Sequence, residues 1–117
     1  MMLTVFGSTA LDTIRTPTKV LKDVLGGAAI FAGISASFFV KPRLIAVVGK
    51  DFPKKYHKIL AERLDLKGLS VKDGKTFRYS GSYDNTLSLR TTLRTDLNVL
   101  KNFKPVVPED YKKSKFV

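Results

Sequence analysis

Few residues in this chain of 117 have the type and setting to do chemistry. Asp12 ends the stretch "GSTALD", and Gly26 and Gly27 stand side by side at the mouth of an uncharged run, "GAAIFAGISASFF", at 27–39. Adjacent glycines either make a tight turn or let backbone N–H groups come close to a ligand, since neither carries a Cβ. Asp12, taken alone, reads as a turn or cap residue. The segment "TFRYSGSY" sets Phe77, Tyr79, Gly81 and Tyr83 on one face of a strand and Arg78, Ser80 and Ser82 on the other. Arg78, Arg90 and Arg94 are candidates to meet an anionic group, and a solvated strand face explains them as well. His57 is the sole histidine and cysteine is absent, which excludes disulfides, thiolate metal sites and multi-histidine metal sites. His57 falls in a lysine-rich stretch and reads as a surface residue. The Gly-x4-Gly-Lys-Ser/Thr pattern of a phosphate loop does not occur.

The elements that must position these residues follow from apolar spacing. "MLTVFGS" reads as a short buried strand, and "TIRTP" and "KVLKDVL" as extended pieces on either side of Pro17. The run 27–39 predicts a helix packed on more than one side, with Phe31 in the core. "RLIAVVG" at 43–49 predicts a strand buried on both faces. In "KDFPKKYHKILAERLDLKG" Asp51 is expected to cap a helix, Pro53 to sit in its first turn and Gly68 to stop it. Tyr56, Ile59, Leu60 and Leu64 then share one face. Alternation of strand and helix predicts an α/β fold, a parallel sheet with crossover helices. Beyond it, "TFRYSGSYDNTLSLRTTLRTDL" predicts a hairpin turning at Asp84-Asn85, with Leu87 and Leu89 alternating, as a ribbon standing off the sheet. A short turn or helix is expected after Pro108, and the terminal "KFV" looks like the opening of another buried strand.

Lysine and arginine outnumber aspartate and glutamate by 21 to 10, a formal charge of +11. That balance suits an anionic partner or a lysine-rich solvated surface. Nucleic acid is disfavoured, because no nucleic-acid motif occurs and the basic residues are spread along the chain. The absence of glutamine, the two methionines and the many lysines match a bias of hyperthermophile proteins. No apolar run reaches the length of a membrane helix and no secretory leader is evident, so a cytoplasmic protein with no membrane partner is expected.

Taken in order, "GSTALD" after the opening strand, "GG" before an apolar helix, "VVGKDF" after the next strand and the aromatic ribbon resemble the N-terminal part of ribokinase-like (PfkB) carbohydrate kinases. The resemblance covers nearly the whole chain and implies part of a Rossmann-like ribokinase fold, with lid pieces at about 10–25 and 76–97. It implies a substrate site for a sugar or nucleoside: Asp12 accepting hydrogen bonds from sugar hydroxyls, and Gly26 and Gly27 letting helix-start N–H groups reach the sugar. Phe31 stands where many members carry an asparagine that holds the sugar, so that contact is missing or replaced; a flat ring against a nucleoside base is one replacement. Phe77, Tyr79, Tyr83, Arg78 and Arg90 would belong to a lid that excludes water, or to a dimer contact. The family's Gly-Ala-Gly-Asp segment, with its catalytic aspartate, does not occur in this chain. The implied ATP and magnesium therefore belong to full-length members, and no catalytic or metal-binding residue is expected here. A substrate-binding and lid portion, inactive alone and joined by a second copy or a complementing C-terminal nucleotide-binding half, is the expectation. A small basic nucleic-acid-binding protein, or a non-catalytic module pairing through its ribbon, is the alternative.

Overall fold

A computed structural model describes residues 2–86 and 88–117. The chain forms two sheets. The first is parallel, with strand order β1-β4-β5, built from β1 (Thr4–Phe6), β4 (Arg43–Gly49) and β5 (Asp65–Lys72). The second is mixed, with order β3-β2-β6-β7, built from β2 (Ala10–Arg15), β3 (Val20–Gly26), β6 (Phe77–Tyr83) and β7 (Arg90–Asp96). Helix α1 (Ala28–Ala36) leads from the second sheet back to β4, and α2 (Lys54–Arg63) crosses from β4 to β5. The α/β fold is the one the alternation of apolar segments predicts.

The core lies around β4, the central strand of the parallel sheet. Every residue from Leu44 to Gly49 is buried, as a strand covered on both faces must be. Ala29 and Ile30 of α1, and Leu60 and Leu64 at the end of α2, pack with Leu44 and Ala46 into one cluster. Tyr111, from a short 3-10 helix (Glu109–Lys113), is buried beside Gly68 of β5. Its hydroxyl donates to the Asp65 main-chain carbonyl at 2.9 Å and carboxylate at 2.8 Å, and accepts from the Gly68 N–H at 3.2 Å. Burial, with the Asp65 carboxylate beside it, holds this phenol well above its ordinary value, so it stays protonated and able to donate.

Several local expectations are overturned. Residues 65–72 form β5, not the tail of a helix: α2 ends at Arg63 and the chain turns directly into the strand. Gly68 is no helix stop but a close-approach position, since a Cβ there would stand 2.4 Å from the Leu44 carbonyl oxygen and 2.8 Å from the Tyr111 ring. Asp51 caps nothing; Pro53 is the N-cap of α2 and no side chain bonds to it. Ile59, placed on the buried face by spacing, is exposed. Helix α1 buries one face only, Ala29, Ile30 and Gly33, so Phe31 is not core but 63% exposed.

The ribbon does not stand alone. Strand β6 pairs in parallel with β2, so residues 10–26 and 77–96 share one four-stranded sheet. The β6–β7 connection runs from 84 to 89, and the Asp84 carboxylate accepts from the Ser88 and Leu89 N–H groups at 3.1 and 3.3 Å. Leu89 is exposed in this loop, and Leu87 lies outside the described residues. The terminal "KFV" does begin to pair as a strand: Phe116 bridges Leu3 in parallel, and the Thr4 N–H donates to the Phe116 carbonyl at 2.9 Å, though Phe116 is half exposed and not buried. Among the described residues, no helix is long and apolar enough to cross a membrane.

The Tyr111 arrangement gives a direct test of this packing. Tyr111→Phe keeps the ring but leaves the Gly68 N–H without its acceptor, and should cost about 1–3 kcal/mol in urea unfolding. A loss below a few tenths of a kcal/mol would mean that water replaces the hydroxyl freely.

Candidate functional site

The site begins with the pairing of β2 with β3 and β6. Ala10 pairs with Gly26 on one side and Phe77 on the other; Asp12 pairs with Val24 and Tyr79. Directly paired residues on neighbouring strands point to the same face. The register therefore puts the Asp12 carboxylate, the Phe77 ring and the Tyr79 ring on one face of the second sheet. Gly26 lies on that face too, and its missing side chain is what admits Asp12: a Cβ on Gly26 would stand 2.1 Å from Asp12 Oδ2.

Gly27 has a different reason to be glycine. Its φ is 104°, in the region that L side chains avoid, and a Cβ there would meet the Ser8 carbonyl oxygen at 2.4 Å. This conformation turns the chain out of β3 and into α1. The helix start is not left open. The Ala28 N–H donates to Ser8 Oγ at 3.1 Å and the Ala29 N–H to the Ser8 carbonyl at 3.1 Å. Two of the donors expected to reach a sugar are thus bonded within the protein, and the glycine pair contributes bare backbone and space.

Asp12, Gly27, Phe31, Phe77, Tyr79 and Arg90 line one open cavity of about 350 Å³, with Ala10 and Ala28. Asp12 is half-buried, and burial raises its carboxyl above the ordinary value. Among the described residues Asp12 makes no side-chain hydrogen bond or ion pair; Arg90, the cation on the same cavity, sits over the Tyr79 ring instead. An unpaired, half-buried acceptor beside an aromatic wall is a costly arrangement unless a ligand supplies donors. Tyr79 is held in place by its own neighbours. Its hydroxyl is 2.9 Å from Thr92 Oγ1, its ring lies against Gly81, where a Cβ would come within 3.0 Å, and the Arg90 guanidinium sits 5.5 Å from the ring centroid. Phe31, on the first turn of α1, leaves most of its ring uncovered at the opposite rim.

Not every expected residue joins the cavity. Tyr83 pairs with Arg90 near the far end of β6 and lies outside the lining. Arg78 is not free to meet a ligand: its guanidinium donates to the Asp23 carboxylate and, at 3.0 Å, to Asp51 Oδ2. Arg94 pairs with Asp96 at 2.8 Å. His57 is exposed on α2. Sequence reasoning also missed Asp23, a left-handed residue (φ 55°) in an irregular stretch of β3, for which the isolated sequence carries no clear signal.

Two substitutions separate function from architecture. Asp12→Asn removes an unsatisfied charge and should stabilise the chain by about 0.5–2 kcal/mol at neutral pH. The sign follows from the raised carboxyl. Between the unfolded and folded pKa values the folded state holds more protons, so the wild type loses stability as pH rises through that window. The advantage of Asp12→Asn should vanish at acid pH and grow towards neutral; an advantage independent of pH would contradict a desolvated Asp12. Gly27→Val should destabilise by at least about 2 kcal/mol through its φ and the Ser8 contact, whatever it does to binding.

No family model matches the chain. Among curated proteins, the cytidine kinase of Thermococcus kodakarensis is 29% identical over 111 residues, which is 93% of this chain and 39% of that protein. The chain thus spans about two fifths of this relative's length. Among solved structures, the nucleoside kinase of Methanocaldococcus jannaschii, an archaeal member of the ribokinase family, superposes with a TM-score of 0.60 at 22% identity, covering 80% of this chain and 37% of that one. The nucleoside kinase of Burkholderia thailandensis in complex with inosine gives 0.68 at 18% identity, covering 82% and 35%. The ribokinase of Cryptococcus neoformans in complex with ADP gives 0.68 at 17% identity, covering 79% and 33%. The chain is thus similar in sequence to part of a cytidine kinase, and it shares the fold of the N-terminal part of ribokinase-like sugar and nucleoside kinases.

Proposed function

We propose that this chain is the substrate-binding and lid portion of a nucleoside kinase. The observation that carries the reading is the polarity of the cavity. A single carboxylate, Asp12, stands at the glycine pair, Arg90 is the one cation, and the rest of the lining is largely apolar: Ala10, Ala28, Phe31, Phe77 and the Tyr79 ring. A ligand with hydroxyl donors at one end and a flat ring at the other matches that division, and a free sugar, with hydroxyls all round, matches it less well. The names of the cytidine kinase and of the inosine-bound nucleoside kinase support the same choice. In this reading Asp12 accepts from ribose hydroxyls, Gly26 and Gly27 let the sugar approach, and the Phe31 ring stacks on the base. The second sheet acts as the lid that keeps water from the transfer.

The reading gives the chain no phosphoryl transfer of its own. A sugar hydroxyl needs a positioned base and an anion site for the transferred group. Asp12 serves as the sugar's acceptor, and the sequence has no Gly-Ala-Gly-Asp segment. Among the described residues no three His, Cys, Asp or Glu side chains converge, so in this reading ATP and magnesium belong with the complementing part. Those parts would come from a complementing segment or chain, and the exposed Val20, Leu21 and Leu93 of the lid sheet, with Leu89 in its loop, suit pairing with a second copy. The cytoplasm, which holds nucleosides and ATP, is the compartment this role implies.

Calorimetric titration of the purified chain with cytidine, inosine and ribose tests the proposal. Both nucleosides should bind more tightly than ribose, with little change between about 50 and 500 mM salt, whereas nucleic-acid affinity would fall steeply over that range. Phe31→Asn should weaken nucleoside binding by about tenfold, the scale of one lost stacking contact, without weakening ribose. Asp12→Ala should remove both. Equal affinity for ribose and nucleosides, insensitive to Phe31→Asn, would overturn the nucleoside reading. Turnover by the chain alone with ATP and magnesium, abolished by Asp12→Ala, would overturn its dependence on a complementing part.

A further inference from the structure

One of the joints between the two sheets, the crossing from β5 to β6, is built from charged and polar groups. The chain leaves the core sheet at the end of β5 and enters the lid sheet at β6 through residues 73–76. This crossing is tied to the end of β4. The Lys50 N–H donates to the Gly74 carbonyl at 3.1 Å, and Gly49 lies so close that a Cβ on it would stand 2.3 Å from the same oxygen. Thr76 is fully buried there. Its Oγ1 accepts from the Gly49 N–H at 2.9 Å and donates to Asp51 Oδ1 at 2.7 Å, while its own N–H donates to the same oxygen at 2.8 Å.

The second oxygen of Asp51 is what reaches the lid. It accepts from Arg78, whose other nitrogen donates to Asp23 on β3. The register of β2 and β3 shifts between Asp12 and Ile14, and the irregularity falls at Lys22–Asp23, where Asp23 is left-handed. Irregular strand residues of this kind re-aim a side chain, and strained backbone persists where its surroundings hold it. The surroundings here include α2 of the core, whose Tyr56 hydroxyl donates to the Asp23 carbonyl at 2.6 Å. Arg78 thus joins a lid strand to a core loop by the planar fork that only arginine offers. Its neighbours Phe77 and Tyr79 point to the opposite face of β6, into the cavity. Anchoring Arg78 on one face sets where those two rings stand on the other.

We propose that Arg78 is a positioning residue: by bridging Asp23 and Asp51 it fixes the angle at which the lid sheet stands over the Asp12–Gly27 cavity. The consequence for binding rests on the reading of that cavity as the ligand site; the mechanical claim does not.

The absence of native cysteine allows a direct measurement on the full chain. Lys19→Cys near the lid tip and Lys58→Cys on α2 take paired spin labels, and electron–electron resonance reads the distance between them. The wild-type background should give one narrow distribution. Arg78→Gln should broaden and shift it, and should weaken cytidine binding by roughly tenfold, the loss expected when a bound geometry is no longer pre-set. Arg78→Lys, which replaces the fork with a point charge, should restore part of both. Asp51→Asn, read the same way, keeps the test open if Arg78→Gln fails to fold. Asp12→Ala should abolish binding and leave the distance unchanged. A distribution that stays narrow in both Arg78→Gln and Asp51→Asn overturns the proposal, as does broadening that leaves cytidine affinity intact. A wild-type chain that binds no nucleoside would overturn the reading of the cavity, and the distance measurement would still decide the role of Arg78.

Discussion

The Asp12 carboxylate occupies the space that a side chain on Gly26 would need, and much of the molecule is arranged around that exclusion. The β2–β3 pairing that opposes Ala10 to Gly26 brings the carboxylate and the bare backbone together. The left-handed Gly27 then turns the chain immediately into α1. Ser8, in the connection between β1 and β2, bonds the first two helix N–H groups and so locks the helix start beside the carboxylate. The resulting corner has one carboxylate, which forms no hydrogen bond or ion pair among the described residues, and room for a ligand. Burial raises Asp12, so the arrangement is held against a cost that the core must offset.

That core is small and one-sided. It packs α1 and α2 onto β4, and the second sheet takes little part in it; β7 is exposed for most of its length. A sheet with so few buried side chains needs its orientation set some other way. The joint at Thr76, Asp51 and Arg78 supplies polar contacts where apolar ones are few. Burial alone would raise Asp51, but hydrogen bonds from Thr76 and the guanidinium of Arg78 outweigh it and hold the carboxyl below its ordinary value, so it remains an acceptor. The ion pairs themselves are half-exposed and weak in isolation. Their value lies in being tied, through Asp51, to a threonine that is wholly buried.

The sequence made the framework legible where burial is symmetrical. The continuous apolar run of β4, the glycine pair and the alternating aromatic strand β6 each carry a local signal strong enough to read. It misled where a long-range partner outweighed a local preference. Asp51 has the position and type of a helix cap, yet Thr76 and Arg78 compete for it from 25 residues or more along the chain. The first half of β5, up to Gly68, reads as helix because "DLKGLSVK" is an edge strand with charged residues, lacking the unbroken apolar run of β4. Phe31 was assigned to the core by the company it keeps. In the fold, small residues of α1 face the sheet, and the larger ring is left at the rim of the cavity. Asp23 could not be singled out at all, since its role depends on a strand irregularity that only pairing with β2 defines.

The central claim is that one cavity, lined by Asp12, Gly27, Phe31, Phe77, Tyr79 and Arg90, receives a nucleoside. The most direct measurement is a backbone amide nuclear magnetic resonance titration of the isotope-labelled chain with cytidine. Saturable shifts should cluster at Asp12, Gly26, Gly27, Phe31, Phe77, Tyr79 and Arg90, with smaller changes along β6. Shifts confined to the separate cavity between residues 72–75 and 98–104, or no saturable shift at the glycine pair, would contradict the account.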